Sequence, residues 1–281
     1  MMSILIHSID GMKERAAQAR AGGQSIGLVP TMGALHEGHL SLVRRAASEN
    51  GLAAVSVFVN PIQFDDPEDL AGYPGTLDDD AEAAFAAGAD VVFAPSAREM
   101  YPEGFSTFVD MTGVSERLCG ASRPSHFRGV LTVVSKLFGI CMADRAYFGE
   151  KDAQQLAAVQ KMAAELCMNV DVIGCPTVRE DDGLAMSSRN ARLSDGERIA
   201  ARCLFRALCE AKARFGAGET NAGTIEAAMR AAIGKEPLAR IDYAEIVDPL
   251  TFGPAGTARE GSLAALAVYV GDTRLIDNMR L

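Results

Sequence analysis

The sequence predicts an α/β protein: a doubly wound, mostly parallel sheet, followed by a smaller α+β C-terminal domain. Two observations predict it. Over the first two thirds of the chain, short apolar runs alternate with stretches whose apolar residues recur at helical spacing. Strand–helix alternation of this kind builds a parallel sheet covered by helices on both faces. After about residue 180 the texture changes: a polar loop, 180–190, leads into helices and then into two strand-like runs. The expected division is therefore 1–180, a nucleotide- and ligand-binding domain, and 181–281, a smaller domain closing over the active site.

In order, strands are expected at 25–29, 53–59, 91–94, 146–148 and 170–178. Between them, 40–49, 77–87, 130–142 and 152–167 have helical periodicity and enough alanine to favour helix. In the second part, helices are expected at 195–215 and 224–233, and strands at 243–247 and 264–270. Ligands of such sheets bind beyond the carboxyl ends of the strands, so residues just after each strand are the first candidates for chemistry.

Bulk properties narrow the classes. With 281 residues, 48% hydrophobic and 23% charged, the chain reads as a soluble globular protein. Its net charge of −10 disfavours a broad nucleic-acid or membrane surface while allowing a small basic pocket. No apolar run approaches the ~20 residues of a membrane helix. Residues 1–11 lack the basic start, long apolar stretch and cleavage site of a signal peptide. Cys119, Cys141, Cys167, Cys175, Cys203 and Cys209 form no CxxC pair, which suits reduced thiols in the cytoplasm and gives no spacing for zinc.

Four stretches carry the chemistry. In "VPTMGALHEGHLSLV", residues 29–43, a strand gives way to a glycine-containing turn and then a helix, with His36 and His39 at the helix start. The free N–H groups of a helix N-terminus suit phosphate, and histidines there can stabilise charge during phosphoryl or nucleotidyl transfer. A pair of surface histidines beside a cap is the alternative. Spacing i,i+3 excludes a zinc-protease HExxH, and neither GxGxxG nor GxxxxGK[ST] is present in this turn. In "VFVNPIQF", residues 57–64, Asn60 and Gln63 follow a strand, where amides suit a small polar substrate. In "YFGEKDAQQL", residues 147–156, Lys151 offers a point charge for a triphosphate, and either Gln154 or Gln155 faces substrate. In "GLAMSSRN", residues 183–190, two hydroxyls and an arginine make a compact anion grip in the loop between domains.

Taken together, "HEGH" and "MSSR" resemble the paired signatures of the HIGH/KMSKS nucleotidyltransferases, with a Rossmann-like fold. With "FVNPIQF", "HFRGV", "FGEKDAQQL", "DGLAMSSRN" and "GDTRLIDN" in that order, the chain resembles the pantoate–β-alanine ligase family from residue 29 to 278. The resemblance implies condensation of (R)-pantoate with β-alanine through a pantoyl-adenylate, with ATP as substrate, Mg2+ accompanying it, and a homodimer. It places Met32, Gly33, Ala34, Leu35, His36, Glu37, Gly38 and His39 along ATP, with His39 as proton donor. Gly149, Glu150, Lys151, Asp152 and Val178 are implied as further ATP contacts, and Met186, Ser187, Ser188 and Arg189 at the phosphates. His36, Lys151 and Arg189 join His39 as the catalytic set. Gln63 and Gln155 are implied to hold the hydroxyls and carboxylate of pantoate, Gln63 also to border β-alanine; Asn60, from its place at the strand end, is expected to bind substrate with them. Where KMSKS loops carry lysines, this loop carries Arg189, which with the acidic balance disfavours a tRNA-binding enzyme. Another HxGH nucleotidyltransferase acting on a phosphorylated acceptor is the alternative enzyme, and a nucleotide-sensing module the non-enzymatic one.

Overall fold

In the computed structural model, which describes residues 3–65, 67–73 and 75–281, the chain forms two sheets. The first has six strands, all pairings parallel: β1 (Ile4–Ile6), β2 (Ile26–Thr31), β3 (Leu52–Val57), β4 (Val91–Phe93), β5 (Arg145–Gly149) and β6 (Asp171–Cys175), in the order β1-β4-β3-β2-β5-β6. The chain steps from β2 to β3 on one side and later adds β5 on the other. The carboxyl ends of β2 and β5 thus flank the point where strand order reverses, the usual ligand position in an open α/β sheet.

The helices of this part are α1 (Ile9–Ala21), α2 (Glu37–Glu49), α3 (Pro67–Ala71), α4 (Leu77–Ala86), α5 (Ala97–Met100), α6 (Cys119–Ser122), α7 (His126–Cys141) and α8 (Ala153–Glu165). Burial explains their placement. α2 buries Leu42, Val43 and Ala46, which join Val29, Val55, Val92 and Tyr147 in one apolar cluster. α7 is buried along most of its length, Phe127 to Cys141.

The C-terminal part has α9 (Asp195–Ala200), α10 (Arg202–Gly216) and α11 (Ala222–Ile233), then an antiparallel sheet β7 (Ala239–Val247), β8 (Leu263–Val270) and β9 (Thr273–Arg280). Leu204, Leu208, Ile225, Met229, Leu266 and Val268 form its core. The chain divides into two compact units: 1–112 with 123–150 and 158–176, and 113–122 with 151–157 and 177–281. Two short segments from the first two thirds, including Lys151 and the first turn of α8, thus belong to the second unit.

The α/β sheet with a smaller C-terminal sheet is the fold that the sequence predicts. The expected helix 195–215 is two helices, broken at Ala201. The strands β1 and β9, the helix α1 and the short helices α3, α5 and α6 escape the sequence reading.

Candidate active site

Within the first unit, β2 ends at Thr31 and the chain turns through residues 32–36 into α2. Gly33 has φ 88° and Ala34 φ 50°, a left-handed pair that only glycine adopts without strain. Asp80, buried on α4, holds this turn: Oδ2 accepts from Ala34 N at 3.0 Å and Oδ1 from Leu35 N at 2.7 Å, while Thr76 Oγ1 donates to Oδ2 at 3.0 Å. A Cβ on residue 33 would lie 2.7 Å from Asp80 Oδ2, so the glycine leaves room for the carboxylate.

His36 is the N-cap of α2, and its Nδ1 accepts from Gly38 N at 3.2 Å. His39 Nδ1 accepts from His36 N at 3.4 Å, and the two rings lie 4.0 Å apart. An imidazole nitrogen that accepts a backbone N–H carries no proton, so in the neutral rings both protons sit on Nε2. Capping thus assigns the tautomer: each histidine has Nε2–H as its donor. Glu37 lies exposed in the first turn and pairs with Arg44.

The second motif meets the first inside this unit. After β3 the chain makes a short 3-10 turn, Pro61–Gln63, capped by Asn60. Gln63 Nε2 lies 3.0 Å from Met32 Sδ. Asn60 is buried, and both of its amide hydrogens are committed: Nδ2 donates to Gln63 Oε1 at 2.9 Å and to Gly129 O at 3.1 Å. Its Oδ1 accepts from Tyr101 OH at 2.7 Å. The "HFRGV" stretch explains itself here. A Cβ on Gly129 would sit 2.4 Å from Ile62 O and 2.6 Å from Gln63 Cα, so α7 approaches this turn only with glycine there. His126 Nδ1 lies 3.0 Å from the Gln63 carbonyl. At the end of β5, Gly149 and Glu150 are half-buried.

The second unit holds the cationic residues. Lys151 Nζ lies 3.7 Å from Asp152 Oδ2. Gln154 and Gln155 are separated by their surroundings. Gln154 is buried, its Oε1 accepting from Cys119 N at 3.1 Å and its Nε2 donating to Val114 O and Arg117 O, both at 2.7 Å. Gln155 is half-buried.

Val178 begins a tight loop. Met186 N donates to Val178 O at 3.0 Å, and Arg179 bridges to Ala185 in antiparallel fashion. The loop is anchored on β9, where Arg179 Nη1 meets Asp277 Oδ2 at 2.6 Å and Nη2 meets Oδ1 at 3.0 Å. Burial pushes the Asp277 carboxyl above its ordinary range, and the Arg179 guanidinium pulls against it. On the other side, Arg198 grips Glu180 and both oxygens of Asp182, and Arg202 adds a third bond to Asp182. Arg198 foremost holds the Asp182 carboxyl well below the usual carboxylate range. Beyond the loop, Ser187 Oγ accepts from Arg189 N at 3.3 Å and opens the 3-10 turn Ser188–Arg192.

Asp80 and Tyr101 are residues that motif reading passes over, and Asp277 and Asn278 stand inside the quoted "GDTRLIDN" without being singled out. Asp80 hides in the acidic run "LDDD", which reads as ordinary helix-dipole compensation. Among the described residues no group of three or more His, Cys, Asp or Glu is set to hold a metal ion.

Comparison with known proteins gives one answer. The model of the family described as pantoate-beta-alanine ligase matches residues 4–280. A pantothenate synthetase of Clostridium acetobutylicum is 51% identical over 98% of this chain and 98% of that one. One from Heliobacterium modesticaldum is 53% identical over the same shares of both chains. Among solved structures, a pantothenate synthetase from Thermus thermophilus matches with TM-score 0.93 and 42% identity, over 99% of each chain. A pantoate-beta-alanine ligase from Francisella tularensis, complexed with beta-gamma ATP and beta-alanine, matches with TM-score 0.81 and 32% identity, over 99% of this chain and 97% of that one. With this coverage, and with the "HEGH" turn, the "FVNPIQF" turn and the "MSSR" loop each built as described, the chain belongs to the pantoate–β-alanine ligase family.

Proposed function

We propose that this chain condenses (R)-pantoate with β-alanine at the expense of ATP, giving pantothenate, AMP and pyrophosphate through a pantoyl-adenylate. Membership of the family and the Francisella tularensis relative crystallised with a nucleotide and beta-alanine support the substrates. The observation that carries the residue roles is the start of α2, where His36 and His39 use Nδ1 for capping and keep the proton on Nε2.

A carboxylate acylates poorly because its leaving group is oxide. Attack of a pantoate carboxylate oxygen on the α-phosphorus forms a P–O bond and expels pyrophosphate, leaving a mixed anhydride. Charge builds on the α-phosphate and on the departing group. His36 and His39 donate from Nε2 to phosphate oxygens, and the N–H groups of the α2 start add to them. Lys151 and Arg189 supply positive charge to the pyrophosphate, with Ser187 and Ser188 as hydroxyl donors. The turn 32–39, with Gly149, Glu150, Asp152, Val178 and Met186, lines ATP. Gln63 and Gln155 hold the hydroxyls and carboxylate of pantoate, and Gln63 borders β-alanine. The β-alanine amine then attacks the acyl carbon, the C–O bond to phosphate breaks, and AMP leaves.

Magnesium belongs to this reading as a companion of ATP, where it would neutralise phosphate charge. A homodimer belongs to it as well. A cytoplasmic location is supported by six free thiols. No helix of the described residues is long and apolar enough to cross a membrane.

Labelled pyrophosphate tests the adenylate. It should exchange into ATP with pantoate present and β-alanine absent, and omitting pantoate should abolish the exchange. Heavy oxygen in the pantoate carboxylate should appear once in AMP. ADP with labelled inorganic phosphate would show an acyl phosphate instead and overturn the mechanism.

A further inference from the structure

The Gln63 amide is oriented by a chain of bonds that starts at a group incapable of turning round. The Gly129 carbonyl can only accept, so the Asn60 atom facing it at 3.1 Å is Nδ2. Asn60 Oδ1 then faces Tyr101 OH at 2.7 Å, and the second Nδ2 hydrogen faces Gln63 Oε1 at 2.9 Å. With Oε1 held, the Gln63 Nε2 group is turned to the side of Met32, whose sulfur at 3.0 Å is a weak acceptor. One further Nε2 hydrogen has no acceptor among the described residues.

Tyr101 closes this chain at its far end. Its ring is edge-on to Phe105 at 5.0 Å and tilted against Phe58 at 6.1 Å, which fixes the direction of the hydroxyl. Burial pushes the phenol well above its ordinary range, so it keeps its proton at every working pH. Lys136 Nζ lies 5.6 Å from the ring centroid.

We propose that Asn60, oriented by the Gly129 carbonyl and braced in that orientation by the Tyr101 hydroxyl, fixes the polarity of the Gln63 site, with Tyr101 a positioning residue, so that this position takes only hydrogen-bond acceptors such as a carboxylate or hydroxyl oxygen. Tyr101 touches no substrate in this scheme. Asn60 acts the same way, as a buried bracket. The proposal rests on the reading of Gln63 as a pantoate residue for its ligand, while the relay itself rests on geometry alone.

Two readouts keep these apart. Nitrogen-15 NMR of side-chain amides reports the relay without ligand: the Asn60 NH2 should be protected from exchange in the wild-type enzyme and lose protection in Tyr101→Phe. Calorimetric titration reports the ligand: Tyr101→Phe should weaken pantoate about tenfold, the scale of one lost buried hydrogen bond, and leave ATP affinity unchanged. Asn60→Asp can accept from Tyr101 but cannot donate to Gln63 or Gly129. It frees Gln63 to turn over, and should weaken pantoate more than Tyr101→Phe does. Loss of Asn60 protection in an enzyme whose wild type binds no pantoate would uphold the relay and sink the substrate reading. Wild-type protection and wild-type pantoate affinity in Tyr101→Phe would overturn the proposal. So would equal weakening of ATP and pantoate.

Discussion

Asn278 Nδ2 donates to the backbone carbonyl of Lys151 at 2.8 Å, and the preceding residue, Asp277, takes Arg179. One strand, β9, thus sets both the lysine and the base of the serine–arginine loop. Asn278→Ala should slow adenylation about tenfold by misplacing a charge rather than removing it. In a Lys151→Ala background the same change should add little. Single-turnover rates for the two single variants and the double variant check this, and strictly multiplied losses would separate Asn278 from Lys151.

Asp80 serves the turn before α2 in the same indirect way. Asp80→Ala strips acceptors from Ala34 N and Leu35 N and releases a left-handed alanine. Adenylation should fall by about 10–10², with pantoate affinity retained. Asp80→Asn, with one acceptor oxygen, should recover part of the loss. An alanine variant at the wild-type single-turnover rate would contradict the role.

His39→Ala should cut adenylation by roughly 10²–10³, as for one lost transition-state donor. The fold should persist, since His39 is half-buried and Gly38 N keeps its His36 partner. Near-normal pyrophosphate exchange in a folded variant would remove this histidine from the mechanism.

Gly129→Ala places a methyl 2.4 Å from Ile62 O and 2.7 Å from Gln63 N. These are backbone atoms, so α7 or the turn must move. A cost of about 1–3 kcal/mol in stability is expected, the usual range for overpacking. Because the displaced residue is Gln63, pantoate affinity should drop more than ATP affinity. Denaturant melts and paired titrations measure both, and an unshifted melt would mean that the turn yields easily.

Acid should loosen the loop at Asp182. The carboxyl is held below its ordinary value by Arg198 foremost, with the Leu184 N–H and Arg202 contributing and burial opposing. A depressed carboxylate stabilises the folded state above its unfolded pKa of ~4 and loses that contribution as pH falls. Melting temperatures taken downward from neutral pH should therefore fall less steeply in Asp182→Asn than in the wild type below about pH 4. Parallel curves would show that the pair adds no net stability.

Much of this was legible in the sequence because the informative residues follow strands or precede helices, where periodicity stops abruptly. β2, β3 and β5 announce themselves by apolar runs, and the motifs at their ends follow. β9 was hidden for a physical reason: its inward face carries Asp277, almost fully buried against Arg179, so the alternation of apolar and polar residues fails where the ion pair enters. Gln154 and Gln155 look alike in a string of letters. Only the packing of residues 114–119 around Gln154 tells the structural amide from the available one. Asn60 stands at a strand end, where a ligand residue is expected, and its partners on α7 and at Tyr101 could not be read because they are distant in sequence.

The capping of α2 by two imidazoles has a consequence for what can stand in their place. Each Nδ1 receives a backbone N–H, His36 from Gly38 and His39 from His36. A side chain without an acceptor at that reach leaves an orphan donor at the helix start, whereas asparagine can keep one. The beginning of the helix is thus tied to the identity of these two side chains.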